Sequence, residues 1–160
     1  MKDSQHTVLH DDIDTIIHYH VMISMGAGLV PVPVLDLVAL SGIQVNMIRE
    51  LANAYQVPFV KEVALNLLTS VLGKTLLVKA GPKIVLSLAK FIPGFGQIAG
   101  AVSLPVLAGA SAYATGKVFS VHFAAGGTLH TFQADTLKAY YHQMFQEGQQ
   151  VVAALRKKIS

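Results

Sequence analysis

Apolar residues recur at a helical spacing along most of the chain, and prolines and glycines divide this pattern into segments. One side of the first segment carries Ile13, Ile16, Ile17, His20 and Ile23. We expect this helix to end before Pro31, because proline fixes φ and removes a backbone N–H donor. Residues 1–12 are mostly polar, and we predict that they form a frayed lead-in to a single helical domain of residues 13–160.

A second helix is predicted at about residues 35–55, with one apolar and one polar face. Its apolar side carries Leu37, Leu40, Gln44, Met47, Ile48 and Leu51. Asp36 stands at the predicted start of this helix, where a carboxylate accepts first-turn N–H groups and meets the positive end of the dipole. We interpret Asp36 as an N-cap. The alternative is a polar group that lines a passage or contacts a partner, opposite Arg49 or a lysine.

Four further helices are predicted at about residues 59–80, 83–91, 95–116 and 133–158. The alternative end for the helix that begins at 95 is residue 125. The breaks between them are Gly81-Pro82, Pro93-Gly94 and Gly126-Gly127. Residues 118–123 alternate as a strand would, but they lie in a helical context. The predicted fold is therefore all-α. We expect a compact bundle of about five to six helices, built from two helix–Pro/Gly break–helix hairpins.

Residues 91–116 are unusual because this stretch contains no charged side chain. Small residues recur within it at a spacing of four: Gly96 with Gly100, Ala108 with Ala112, Ala110 with Ala114, and Ala112 with Gly116. This spacing places them on one helix face, where a second backbone can approach closely, as it does in membrane helix pairs. A tightly packed helix in a water-soluble bundle is the alternative. We favour membrane association.

The composition points the same way. Hydrophobic residues make up 52% of the chain and charged residues 13%, whereas an average soluble domain has about 25% charged residues. No acidic residue lies between Glu62 and Asp135, and the cations of that interval are Lys74, Lys79, Lys83, Lys90 and Lys117. Isolated cations beside apolar runs suit anionic lipid headgroups. Nucleic acid is not an expected partner, because the chain has two arginines, Arg49 and Arg156.

The stretch PVPVLDLVALSGIQVNMIRELANAYQV resembles the diagnostic region of the YcjF-type family, a bacterial helical domain of unknown function. The residues that carry the resemblance are Pro31, Asp36, Gln44, Met47, Ile48, Leu51 and Tyr55. Two more blocks match in the same order, namely Ile92-Pro93-Gly94-x-Gly96 with the glycine-rich helix through Gly116, and the polar helix after Gly126-Gly127. The likeness covers about residues 15–155. It implies a membrane-associated module, alone or fused to Era-like GTPases, with no catalytic residue to carry over.

Leu72-Gly73-Lys74-Thr75 looks like the tail of a phosphate-binding P-loop. A P-loop needs a glycine five residues before Gly73 and a strand in front of it. Position 68 is leucine and the context is helical, so nucleotide binding is not expected. If a GTPase is involved, we expect it to be a separate chain.

Several histidines and aspartates cluster near the N-terminus and are candidate metal ligands: His6, His10, Asp11, Asp12, Asp14, His18 and His20. Residues two apart do not share a helix face, and no convincing second pair completes the set, so structural roles are favoured. His122, His130 and His142 are scattered, without a serine–aspartate arrangement around them. We therefore expect no catalytic site, metal or cofactor.

The sequence favours a non-enzymatic module at a bacterial inner membrane, integral or peripheral, that self-associates or works with a GTPase. Residues 98–116 are a marginal transmembrane candidate, since their glycines and polar residues offset the apolar ones. The first alternative is a pore or transporter lined by helices broken at Pro31, Pro33, Pro93 and Gly94. The second alternative is a soluble helical bundle that holds a lipid or another apolar ligand. The N-terminus lacks the basic segment and apolar core of a secretory signal, so we expect none.

Overall fold

A computed structural model describes residues 2–27, 33–72 and 104–159 of the chain. Five helices fill these ranges: α1 (Lys2–Ala27), α2 (Pro33–Ala54), α3 (Lys61–Leu72), α4 (Leu104–Ala124) and α5 (Ala134–Ile159). No strand occurs in them, and the helices form a compact bundle, which confirms the predicted fold class. The predicted helix at 83–91 and the break at Pro93-Gly94 lie outside the described residues.

The starts of two helices differ from the sequence prediction. α1 begins at Lys2, eleven residues before Ile13, so residues 2–12 continue the first helix. Leu9 packs against the core one turn before Ile13, and this contact extends the apolar face towards the N-terminus.

α2 begins at Pro33, which places Asp36 inside the first turn and not at the N-cap. Proline is favourable here, because N–H groups of the first helical turn lack intrahelical partners.

α4 lies at the centre of the bundle, where it packs against α1, α2 and α5. Met25 of α1 lies beside Gly109, and Ile17 lies beside Gly116, so α1 runs antiparallel to α4. α5 is also antiparallel to α4, because Val152 approaches Gly109 while Glu147 reaches Tyr113. α2 runs parallel to α4, because Gln44 bonds to Ser111 while Tyr55, just after α2, lies beside Ser120, and α2 is therefore antiparallel to α1. α3 packs on the outside against α2 and α5.

The core lies around α4 and is built from large residues of the surrounding helices. Its largest fully buried side chains include Ile17, Met47, Ile48, Leu51, Leu68 and Phe119. On α5, every third or fourth residue faces this core, in the series Tyr141, Met144, Gly148 and Val152. The predicted amphipathic last helix is therefore present, and its last turn carries Arg156, Lys157 and Lys158.

The connection between α4 and α5 turns at the predicted Gly126-Gly127 pair. Gly126 has φ of +86°, a conformation that side chains with a Cβ rarely adopt. Gly127 packs directly against the imidazole of His122, whose Nε2 lies 2.8 Å from the carbonyl oxygen of Thr128. Phe132 stacks on Phe119 and fastens the end of this turn to the core.

Glycines allow the helices to approach α4 closely. A Cβ on Gly116 would lie 2.8 Å from Cγ1 of Ile17 and 3.2 Å from the sulfur of Met47. A Cβ on Gly148 would lie 3.1 Å from backbone atoms of Ala110. Side chains at these positions would force the helices apart, because protein cores are already close-packed.

We predict that Gly116→Leu destabilises the bundle while Gly42→Leu does not. A leucine at Gly116 would overpack the contact with Ile17 and Met47, at a typical cost of about 1–3 kcal/mol or more. Gly42 is exposed in α2 with no atom within 4 Å of its Cβ position, so leucine there gains helix propensity of about 0.8–1 kcal/mol.

Thermal or denaturant unfolding of both variants measures the difference. Equal or greater stability of Gly116→Leu relative to the parent would contradict the close packing at α4.

Candidate functional site

A buried polar network crosses the centre of the bundle and joins three helices. Thr115 Oγ1 donates to Gln44 Oε1 at 2.7 Å, and Gln44 Nε2 donates to Ser111 Oγ at 3.0 Å. Ser111 Oγ lies 3.1 Å from the hydroxyl of Tyr141. Gln44 comes from α2, Ser111 and Thr115 from α4, and Tyr141 from α5. Because every member has a partner, the network specifies the register of these helices.

Burial sets the protonation state of this network. It raises the pKa of Tyr141 to about 12, because the phenolate would lose its hydration, although the hydrogen bonds to Ser111 and Thr115 act in the opposite direction. Tyr141 is therefore a neutral hydroxyl at physiological pH, able to donate one hydrogen bond and to accept another.

A second polar series connects α1, α4 and α5 nearer the surface. Lys117 of α4 donates to the carboxylate of Asp14 at 3.0 Å, and its ammonium group lies 5.5 Å from the ring centroid of Tyr113. The hydroxyl of Tyr113 donates to Glu147 of α5 at 2.5 Å. Burial, followed by the hydrogen bond to Glu147 and its negative charge, raises the pKa of Tyr113. These contacts place the charge of Lys117 at the edge of a helix that has no other Lys, Arg, Asp or Glu.

His20 is buried between α1 and α2, at 1% exposure. Its Nδ1 lies 2.8 Å from the carbonyl oxygen of Ile16, and its Nε2 lies 3.2 Å from the side-chain nitrogen of Asn46. Glu50 also bonds to Asn46, and its carboxylate lies 3.8 Å from His20 Nε2. Both ring nitrogens thus face groups of the bundle, which is the structural role favoured from the sequence.

His18 and Asp14 of the N-terminal cluster have partners of their own. Nδ1 of His18 lies near the carbonyl oxygen of Asp14, while Asp14 pairs with Lys117. Within the described part of the chain, no group of three or more His, Cys, Asp or Glu residues is arranged to hold a metal ion. The outer side of α1 is instead an open surface formed by Asp11, Asp14, Thr15, His18, Tyr19 and Met22.

Most of the family-motif residues that the structure describes lie on the core side of α2. Gln44 and Met47 are buried at 3% and 0% exposure. Tyr55 is half-buried, and its hydroxyl lies 3.0 Å from Ser120 Oγ. The side chain of Asp36 is not described, and Pro31, Pro93, Gly94 and Gly96 lie outside the described residues.

The small residues predicted to pack helices fall into two groups. Ala108, Ala112 and Gly116 are buried in α4 at contacts with its neighbours, whereas Gly96 and Gly100 lie outside the described residues. Gly73-Lys74-Thr75 also lies outside them. Leu68, which stands where a P-loop needs glycine, is fully buried within α3.

Sequence reasoning missed Ser111 and Thr115 as partners of Gln44, and Tyr141 as the partner of Ser111. One signal was available. Ser111 and Thr115 are four residues apart in α4, so both fall on one face of a helix that is otherwise apolar nearby. Gln44 likewise interrupted the apolar side of α2. The pairing itself was not predictable, because it depends on which helix faces meet.

Comparison with known proteins identifies relatives of this chain. Residues 7–150 match the family model described as "Domain of unknown function (DUF697)". The chain is also 37% identical over 143 residues to Magnetosome membrane protein 22 of Magnetospirillum gryphiswaldense, covering 89% of this chain and 73% of that protein. No solved structure matches the chain.

In the ranges that the structure describes, no helix combines the length and apolarity needed to span a bilayer.

We predict that Gln44→Ala lowers the free energy of unfolding by about 1–3 kcal/mol or more, because it leaves the buried hydroxyl of Thr115 without its acceptor and opens a cavity. Gln143→Ala, at an exposed position of α5, should change it by less than about 0.5 kcal/mol. Denaturant unfolding measures both.

A double-mutant cycle with Thr115→Val isolates the hydrogen bond itself. We expect the two substitutions to be non-additive. Additive effects would show that Gln44 and Thr115 stabilise the bundle independently.

Proposed function

The chain belongs to the DUF697 family of domains of unknown function, and on that premise we propose that it is a non-enzymatic, membrane-associated helical module. The observation that carries the proposal is the similarity to Magnetosome membrane protein 22 along most of both chains. The low share of charged residues, 13%, supports it as well, since much of the surface then meets lipid or protein in place of water. We place the module at a bacterial inner membrane.

The absence of catalysis is part of this proposal, and the way polar side chains are used supports it. The buried Gln44, Thr115 and Tyr141 and the half-buried Ser111 bond to one another across helices. Lys117, Tyr113 and Glu147 do the same nearer the surface, together with Asp14. Groups committed to such contacts hold helices in place, whereas catalytic groups converge on a space that a substrate can enter.

We propose further that the module acts with a protein partner, either a second copy or a GTPase on a separate chain. The exposed side of α1 supports a protein contact, since Tyr19, Met22 and Ile23 are exposed at 59%, 41% and 37%. Cross-linking in intact membranes separates the two cases by the mass of the product.

In a lysed bacterium, we predict that the chain sediments with the membrane fraction and stays there until detergent is added. A high-salt wash and a carbonate wash, applied in turn, distinguish electrostatic attachment, other peripheral attachment and integration. A cytosolic protein and an integral protein of the same cells serve as controls. Recovery of the chain as a monodisperse, ligand-free protein from a detergent-free lysate would overturn the proposal.

A further inference from the structure

Four helix ends meet at one end of the bundle, which we call the open end. Met25 of α1 and Val152 of α5 both approach Gly109 of α4. Because α1 and α5 run antiparallel to α4, the C-terminal ends of α1 and α5 lie beside the N-terminal end of α4. α2 runs parallel to α4, so its first residue, Pro33, lies at this end as well.

The last turn of α5 lies at the open end. Seven residues separate Val152 from Ile159, so this turn lies about 10 Å along the helix past the level of Gly109. We call this turn the basic overhang, and its residues, all exposed, are Arg156, Lys157, Lys158 and Ile159.

Charges are unevenly distributed along the bundle axis. Most acidic residues that the structure describes lie in the half away from the open end: Asp3, Asp11, Asp12, Asp14, Glu50 and Asp135. Asp36, in the first turn of α2, is the acidic residue at the open end among the described ranges. The overhang carries three cations and an isoleucine that is 66% exposed.

The sequence that enters the bundle at the open end is also free of acidic residues. Residues 73–103 lead directly into α4, and their charged residues are Lys74, Lys79, Lys83 and Lys90. The basic overhang thus lies at the end of the bundle where residues 73–103, which carry lysines and no acidic residue, join α4. Basic residues are favourable at any helix C-terminus. The additional observation here is that this C-terminus lies at the end of the bundle away from most of the described acidic residues.

We propose that the open end faces the membrane, and that Lys157 and Lys158 of the basic overhang bind anionic phospholipid headgroups while Ile159 enters the interface between headgroups and acyl chains. This inference rests on the proposed membrane association and adds its orientation and its lipid chemistry. Lysine ammonium groups on long apolar stems suit this position, since the stem follows apolar surface while the charge meets phosphate. The opposite end, with its acidic residues, then points away from the anionic surface.

The test measures how strongly the full chain prefers anionic vesicles. The protein is diluted from detergent into preformed phosphatidylcholine vesicles, either pure or with about 30% phosphatidylglycerol, which gives the vesicles a negative surface potential. Flotation gives the partition coefficient for each vesicle type, and their ratio is the anionic preference.

Lys157→Gln/Lys158→Gln should reduce the anionic preference by about 30-fold, since each lysine near an anionic surface contributes about fivefold. The matched control is Lys61→Gln/Lys138→Gln, which removes the same charge at exposed positions near the opposite end. We expect this control to stay within about twofold of the parent.

The outcomes separate the inference from the proposal on which it rests. An equal loss in both double variants would mean that net charge alone acts, and equal binding of the parent to both vesicle types would mean that headgroup charge has no role. Either result overturns the oriented contact but leaves membrane association intact. Failure of the parent to bind any vesicle would instead contradict membrane association itself.

Discussion

The close contact between α4 and its three neighbours is the constraint on which the rest of the bundle depends. Small residues along α4 let α1, α2 and α5 approach its backbone, so that Ile17 and Met47 meet at Gly116 while Met25 and Val152 meet at Gly109. Close packing of this kind leaves no space for a larger side chain. It also fixes which ends of the helices lie together, and it thereby places the basic overhang beside the start of α4.

Burying a helix on all sides requires that its polar groups find partners inside the protein. Thr115 and Ser111 meet this requirement through Gln44 and Tyr141, and Lys117 does so through Asp14 at the edge of the bundle. Apolar contact alone has little directional preference, whereas these hydrogen bonds specify one register of α2 and α5 against α4. Packing and polar pairing thus determine the same arrangement.

Apolar periodicity predicted most of the fold, and its failures have physical causes. α2 and α5 were predicted to within about two residues, because their apolar and polar faces differ strongly and prolines or glycines bound them. The predicted start of α1 was wrong because residues 2–12 are mostly polar, and the extension of the apolar face by Leu9 was overlooked. The partners of Gln44 were not predictable, since sequence spacing describes one helix and not its neighbours. The spacing of Ala108, Ala112 and Gly116 indicated a close contact but could not say whether lipid or protein surrounds it.

Native-state amide hydrogen exchange tests the central position of α4 most directly. We expect amides of residues 110–118 to exchange slowest in the chain, through global unfolding, while those of the outer helix α3 exchange through smaller openings. If residues 110–118 exchange faster than the middle of α5, then α4 is not the element that holds the bundle together.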